Sequence, residues 1–386
     1  MKGFSKRLGE VKEYYFSTKL KEVQQLREAG NHVINMGIGS PDLPPHPSVI
    51  NALKISAENP KAHGYQSYTG IAALRASFAS FYARHYGVSL DPEGEILPLM
   101  GSKEGIMHIS LAFLDEGDSV LIPNPGYPTY SSVTKLLNAD PLYYDLKENT
   151  NWEPDWEQLE QFNLEKVKLM WVNYPHMPTG TPGNTALFER LVAFARKHNI
   201  LIINDNPYSF VLYEEQNSIL SVDGAMDYAL ELNSLSKSFN IPGWRIGMLA
   251  GKKDFLHAVL RVKSNMDSGM FLGLQHGAIA ALQLGRDWFD ENNLIYSERR
   301  MLVWKLAEKL GLQLFKQPGG MFVWTKVPEG ISALELVDKL LYEKFIFVTP
   351  GIIFGSAGES FVRFSLCVPE EDIAEALRRI EKSPLP

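Results

Sequence analysis

From about residue 95 to residue 250 the chain alternates short apolar runs with amphipathic stretches. Strand-like runs at 95–100, 119–122, 142–146, 167–172, 200–203 and 228–232 are interleaved with helix-like patterns at 103–114, 130–137 and 186–198. In the last of these helices Leu187, Leu191, Val192 and Ala195 share one face. Parallel strands need long crossover connections, so repeated strand–helix units predict a mostly parallel sheet covered by helices on both faces. Past residue 290 the rhythm changes. A long helix at 288–310, strands at 321–325 and 361–366, and helices at 333–342 and 371–380 predict a smaller α+β unit. The helix expected at 19–29 has no strand partner and is expected to pack against that unit. A strand at 33–36 is followed by a rigid loop carrying Pro41, Pro44, Pro45 and Pro47. The domain reading is an N-terminal arm at 1–35, a large domain at 36–288 and a small domain at 289–386. At about 150 residues per domain, 386 residues accommodate this division.

Composition excludes several classes of function. Lys plus Arg number 38 against 45 Asp plus Glu, a net charge of −7, and no basic patch stands out, so a nucleic-acid partner is not expected. Apolar runs are strand-sized, well short of the roughly 18 residues a membrane span needs. The charged first residues lead into no apolar core of a secretory signal, and Cys367 is the single cysteine. A cytoplasmic protein with no membrane contact, no disulfide and no bound metal is expected.

Four segments carry chemistry. The first runs from Asn233 to Gly247 and holds Ser234, Ser236, Lys237 and Arg245 in a loop punctuated by Pro242 and Gly243. Two hydroxyls, a guanidinium and loop amides suit a phosphate dianion. A lysine between them, desolvated and beside positive charge, is pushed toward the neutral amine, the form that attacks an aldehyde. The second, Gly101-Ser102-Lys103, lies at a strand–helix junction, where free N–H groups favour an anion. In the third, an apolar strand ends at Asp205 and Tyr208 follows, at the carboxyl edge of a parallel sheet where open α/β proteins place ligands. A buried carboxylate there needs a cationic partner. The fourth pairs the glycine loop Gly37-Ile38-Gly39 with Arg363, an arginine inside an alternating apolar strand. Such an arginine grips a carboxylate or forms a structural ion pair.

The pattern Ser-x-Ser-Lys-x-Phe-x-x-x-Gly-x-Arg-x-Gly at 234–247 resembles the cofactor-lysine motif of class I/II aminotransferases of fold type I, which use pyridoxal 5′-phosphate. The resemblance extends over nearly the whole chain. It implies a seven-stranded, mostly parallel sheet in the large domain and a Schiff base formed by Lys237. Phosphate contacts then fall to Ser102, Lys103, Ser234, Ser236 and Arg245, the pyridine nitrogen to Asp205 and the ring oxygen to Tyr208. Tyr127 stacks on the ring, and Tyr65 reaches the phosphate of a neighbouring subunit in a homodimer. Arg363 and Gly39 hold the substrate α-carboxylate. Where the family reads Asn-x-Pro-x-Asn-Pro-Thr-Gly, this chain has Met177 in place of the second asparagine. A thioether donates no hydrogen bond, so His176 or a water is expected to serve the carboxylate while Tyr208 carries the ring oxygen alone; Asn173 is a further substrate-binding candidate. Tyr15, Tyr68 and Met321 are candidates for the side-chain pocket.

Segments 63–70, 101–105 and 264–269 look most like the prokaryotic LL-diaminopimelate aminotransferase-like branch. The expected activity is ping-pong amino transfer between an L-amino acid and a 2-oxo acid, with LL-diaminopimelate or another dicarboxylic amino acid as substrate. A carbon–sulfur β-lyase of the cystathionine type would bind the cofactor identically. A non-catalytic pyridoxal-phosphate regulatory module is a rival from another class, but no basic winged-helix segment accompanies the scaffold. A nicotinamide enzyme lacks its glycine fingerprint here.

Overall fold

A computed structural model describes residues 3–11, 15–316 and 319–383. Its main sheet has seven strands: β1 (Ile96–Leu99), β2 (Ser119–Asn124), β3 (Asp140–Asp145), β4 (Val167–Val172), β5 (Leu201–Asn206), β6 (Ala229–Ser234) and β7 (Gly247–Gly251), in the spatial order β1-β7-β6-β5-β4-β2-β3. Strands β3, β2, β4, β5 and β6 run parallel. Central strands lie between helical layers and bury both faces, which is why β4 reads as an almost unbroken apolar run, Lys168 being its one exposed residue. The crossover helix Thr185–His198 opens on Asn184, whose side chain accepts from Leu187 N–H, and closes with Arg196, Lys197 and His198 against its negative end.

The expected strands are all present, with ends displaced by up to three residues, the largest being the end of the 200–203 run, which continues to Asn206. The strand β7 lies outside that pattern and is antiparallel to both of its neighbours. Its sequence, Gly-Met-Leu-Ala-Gly, has no β-branched residue, so local propensity does not announce it. Register pairs Gly247 with both Ser234 and Leu99, so the chain that leaves β6 through Lys237 returns beside its starting point.

Helices Pro47–Glu58, Ala72–Tyr86, Lys253–Lys263 and Leu272–Leu282 are also found beyond the expected set. Pro47 lies at the start of its helix, where proline's missing N–H costs nothing, so the proline-rich loop ends sooner than its composition suggests. A second sheet, β8 (Gln313–Leu314), β9 (Phe322–Lys326), β10 (Thr349–Pro350) and β11 (Phe361–Ser365), is antiparallel in the order β10-β11-β9-β8. Helices Arg286–Lys309, Ala333–Lys344 and Glu370–Lys382 accompany it; the first runs unbroken across residue 288. The N-terminal helix begins earlier than expected and spans Tyr15–Glu28. Its Phe16 and Val23 pack with Val33, Leu341 and Phe347, and Ile34–Asn35 pairs with Ile346–Phe347. No helix among the described residues is long and apolar enough to cross a membrane.

Candidate active site

The carboxyl ends of β4, β5 and β6 open into a cavity of about 630 Å³ that also draws on the N-terminal helix and the second sheet. At one end, Ser102 and Lys103 start the helix Ser102–Phe113, facing Ser234, Ser236 and Arg245. Gly101 precedes this helix at φ +91°, and a Cβ there would strike the Arg245 guanidinium. A Cβ on Gly247 would meet the Ser102 amide nitrogen at 2.9 Å. Glycine at these two positions is what lets the two anion-binding segments approach each other. Arg245 donates to Pro242 O at 2.9 Å and lies 3.4 Å from Ser236 Oγ. Burial, with Arg245 adding to it, lowers the pKa of Lys103. Cations, hydroxyls and a helix N-terminus in one corner have the chemistry that suits a phosphate dianion.

Lys237 Nζ lies in the same cavity and donates to Gly39 O at 2.6 Å. Burial lowers its pKa, and Arg363 and Arg245 push in the same direction. Asp205, at the end of β5, is buried. Its Oδ2 accepts from Tyr130 OH at 2.8 Å, while Oδ1 has no hydrogen-bond partner among the described residues. Burial pushes this carboxyl up to about 7, and the Tyr130 bond opposes the rise. Tyr127 packs edge-on to Tyr130, which in turn stacks on Trp171 at 4.8 Å. Tyr130 thus anchors the acid. The sequence signal was available: it lies one helical turn past Tyr127 at the mouth of the helix Pro128–Leu136.

On the opposite wall Arg363 donates from Nη2 to Gly37 O at 2.7 Å, and its Nη1 lies 3.4 Å from Met177 Sδ. The guanidinium stacks 3.9 Å from the Phe322 ring centroid and 4.7 Å from that of Phe354. A Cβ on Gly39 would collide with Phe322, so this glycine is what allows the loop to lie on the ring. Asn173 and Met177 line the cavity. The Asn173 amide is engaged at both ends, donating to Asp205 O and accepting from Met177 N–H. His176 is not among the lining residues. Its ring is buried with Nδ1 2.8 Å from Thr179 Oγ1, and burial lowers its pKa to about 3, which keeps it neutral. Tyr65 is 93% exposed and is not among the residues that line this chain's cavity.

The candidate side-chain pocket differs from expectation. Tyr15, Tyr68 and Met321 do not line the cavity, whereas Phe16, Leu20, Ile38, Phe322 and Phe354 do. Tyr15 and Met321 are each displaced by one residue, the smallest step that turns a side chain onto another face. A separate group, Glu104, His108 and Asp267, brings its ligand atoms within 4.8 Å of one another, but the Lys263 ammonium already pairs with Asp267 at 2.9 Å.

These residues fit pyridoxal 5′-phosphate on their own chemistry. The unpartnered Oδ1 of Asp205 is an acceptor awaiting a cationic N–H, as a protonated pyridine supplies, and the phosphate receptor shares its cavity. A lysine whose pKa is lowered lines the same cavity, which is the group a Schiff base with the coenzyme's aldehyde would require.

Comparison with known proteins assigns the family. Residues 31–380 match the model for aminotransferases of class I and II. The LL-diaminopimelate aminotransferase of Aquifex aeolicus is 40% identical over 98% of both chains. Among solved structures, apo-BacF from Bacillus subtilis superposes with a TM-score of 0.96 at 35% identity, covering 100% of this chain and 99% of its own. A single mutant of Thermus thermophilus aspartate aminotransferase gives 0.91 at 26% identity, covering 99% and 100%. The chain belongs to the class I and II aminotransferases and is a pyridoxal-phosphate-dependent transaminase.

Proposed function

We propose that this chain moves amino groups between an L-amino acid and a 2-oxo acid in a ping-pong cycle, with Lys237 as the proton-transferring base. The observation that carries the assignment of roles is the buried, unpartnered Oδ1 of Asp205 in the same cavity as Lys237. Ser102, Lys103, Ser234, Ser236 and Arg245 hold the phosphate. Asp205 would accept a hydrogen bond from the protonated pyridine nitrogen at Oδ1, and the Tyr130 hydroxyl fixes the orientation of that carboxylate through Oδ2. Tyr127 would cover the ring face, and Tyr208 would donate a hydrogen bond to the ring oxygen. Pyridoxal phosphate, when bound, supplies the aldehyde that takes up the amino group and a ring that spreads the charge left at Cα.

Arg363 grips the α-carboxylate, oriented by Gly37 O and by the rings of Phe322 and Phe354. The depressed pKa of Lys237 favours a lone pair on Nζ, which would remove the Cα proton as general base and deliver it, as general acid, to the cofactor carbon C4′. Burial of the cavity wall keeps bulk water from competing for that proton. The aminotransferases at 36–40% identity that are named for LL-diaminopimelate support that compound, or another dicarboxylic amino acid, as substrate. A cytoplasmic homodimer in which Tyr65 crosses to the neighbouring phosphate belongs to the same proposal, as does the division at 1–35, 36–288 and 289–386. The exposure of Tyr65 supports the former.

Half-reaction spectroscopy tests the reading. The yellow holoenzyme is mixed with LL-diaminopimelate, aspartate, alanine and aromatic amino acids, without any 2-oxo acid. Stoichiometric conversion of the visible band by at least one of them is expected. Continuous release of ammonia and pyruvate from cystathionine without an acceptor would instead identify a lyase.

A further inference from the structure

We propose that Glu231 is a positioning residue that sets the two loops flanking the cofactor cavity, a proposal that rests on the function given above. Glu231 lies in the middle of β6 and is completely buried. It accepts at both oxygens: Oε1 from Tyr82 OH at 2.9 Å and Asn206 Nδ2 at 3.4 Å, Oε2 from Asn204 Nδ2 at 3.2 Å and Ile219 N–H at 3.1 Å. Burial raises its pKa, and these donors oppose the rise.

Strand periodicity explains the reach of this one carboxyl. Glu231 is paired with Asn204 across β6 and β5, so Asn204 and Asn206 present their side chains on its face, while Asp205 between them turns to the other face and Tyr130. Asn204 accepts from Tyr174 N–H at 2.9 Å and donates to Tyr174 O at 3.2 Å, fastening the start of the segment that carries Met177 to the Arg363 wall. Asn206 accepts from Ser209 Oγ, fastening the turn that carries Tyr208.

An amide can occupy a site in two flipped orientations, and what faces it decides which. An acceptor-only group at 231 holds both Nδ2 atoms toward itself and so directs both Oδ1 atoms at the loops. Glutamine would offer one oxygen and one NH2 to four donors. At least one donor would lose its acceptor, and Asn204 could turn over and release Tyr174.

The test compares E231Q with Tyr82→Phe, which keeps the carboxyl, and with Val259→Ala, a buried apolar truncation outside the hydrogen bonds of Glu231. Three quantities are read: thermal midpoint, kcat and KM of the amino-donor half-reaction, and the pH midpoint of the cofactor's visible band. For E231Q a loss of about tenfold or more in kcat/KM is expected, with a displaced pH midpoint as Tyr208 moves against the ring oxygen. Val259→Ala at a matched thermal midpoint should leave the pH midpoint in place, and Tyr82→Phe should fall between. An E231Q enzyme with wild-type kcat/KM and pH midpoint overturns the inference. So does a Val259→Ala enzyme that shifts both as much as E231Q does. If E231Q does not fold, Asn206→Ala carries the test, and an unchanged pH midpoint there overturns it. A wild-type protein that develops no visible band with pyridoxal phosphate would instead sink the functional reading beneath it.

Discussion

Replacing Asp205 by asparagine should make the cofactor-free protein less sensitive to alkali while crippling the holoenzyme. In the folded chain this carboxyl titrates near 7 against an ordinary 3.8, because it is buried with one unpartnered oxygen. Between those values the native state holds a proton that the unfolded chain has released, so stability falls as pH rises through the window and the loss is complete above it. From pH 5 to 8 the carboxyl titrates over the last two pH units of that window, which at 1.36 kcal/mol each removes about 2–3 kcal/mol. Asparagine has the same shape, keeps an oxygen for Tyr130 OH and does not ionise. Its orphaned NH2 costs about 1–3 kcal/mol, but equally at both pH values, so the difference in pH dependence isolates the carboxyl. Any contribution from the other buried carboxyl, Glu231, is common to both proteins and cancels. Urea unfolding of the stripped proteins at pH 5 and pH 8 measures this directly. The asparagine variant should lose about 2–3 kcal/mol less than wild type between the two, and pyridoxal phosphate should stabilise it far less. Parallel pH profiles for the two proteins would refute the reasoning, because the carboxyl would then not be strained by burial.

Three further outcomes are expected. Lys237→Ala should lose the cofactor's covalent visible band and fall by about 10³-fold or more in single-turnover amino transfer; an intact band would remove the lysine from its assigned role. Arg363→Lys exchanges a planar fork stacked on Phe322 for a point charge, and should raise KM for the amino donor about 10-fold to 100-fold with a smaller change in kcat. In Met177→Asn the amide offers the donor that the thioether lacks beside Arg363, and KM should drop about tenfold. An unchanged KM counts against any missing bond there.

Much of this architecture can be read from the chain because buried parallel strands are written as apolar runs and end at chemistry-bearing residues. The run into Asp205 and the run into Ser234 both lead to the cavity. What the pattern did not disclose follows from tertiary context. The helix Leu272–Leu282 packs against the helices Pro47–Glu58 and Ala72–Tyr86 and is apolar over most of its surface, so it carries no stripe to mark its period. The strand β7 is held by two neighbours rather than by its own residues. At the site, residues with an obvious chemical handle were legible, among them Lys237, Asp205 and Arg245. The apolar wall of Phe16, Leu20, Phe322 and Phe354 was not, since a phenylalanine facing a ligand and one facing the core look alike in sequence. His176 shows the converse: a polar residue inside a motif whose ring turns inward to Thr179.

Apart from Met177, the wall around Arg363 is assembled from both ends of the chain, residues 16–39 and 322–363, whereas the phosphate corner and the acid lie between 102 and 245. During synthesis the ribosome therefore completes the coenzyme's berth more than a hundred residues before the arginine that would grasp a substrate. The same partition lets inherited change at the termini retune which amino acid is admitted, while the interior stretch that anchors the coenzyme stays untouched.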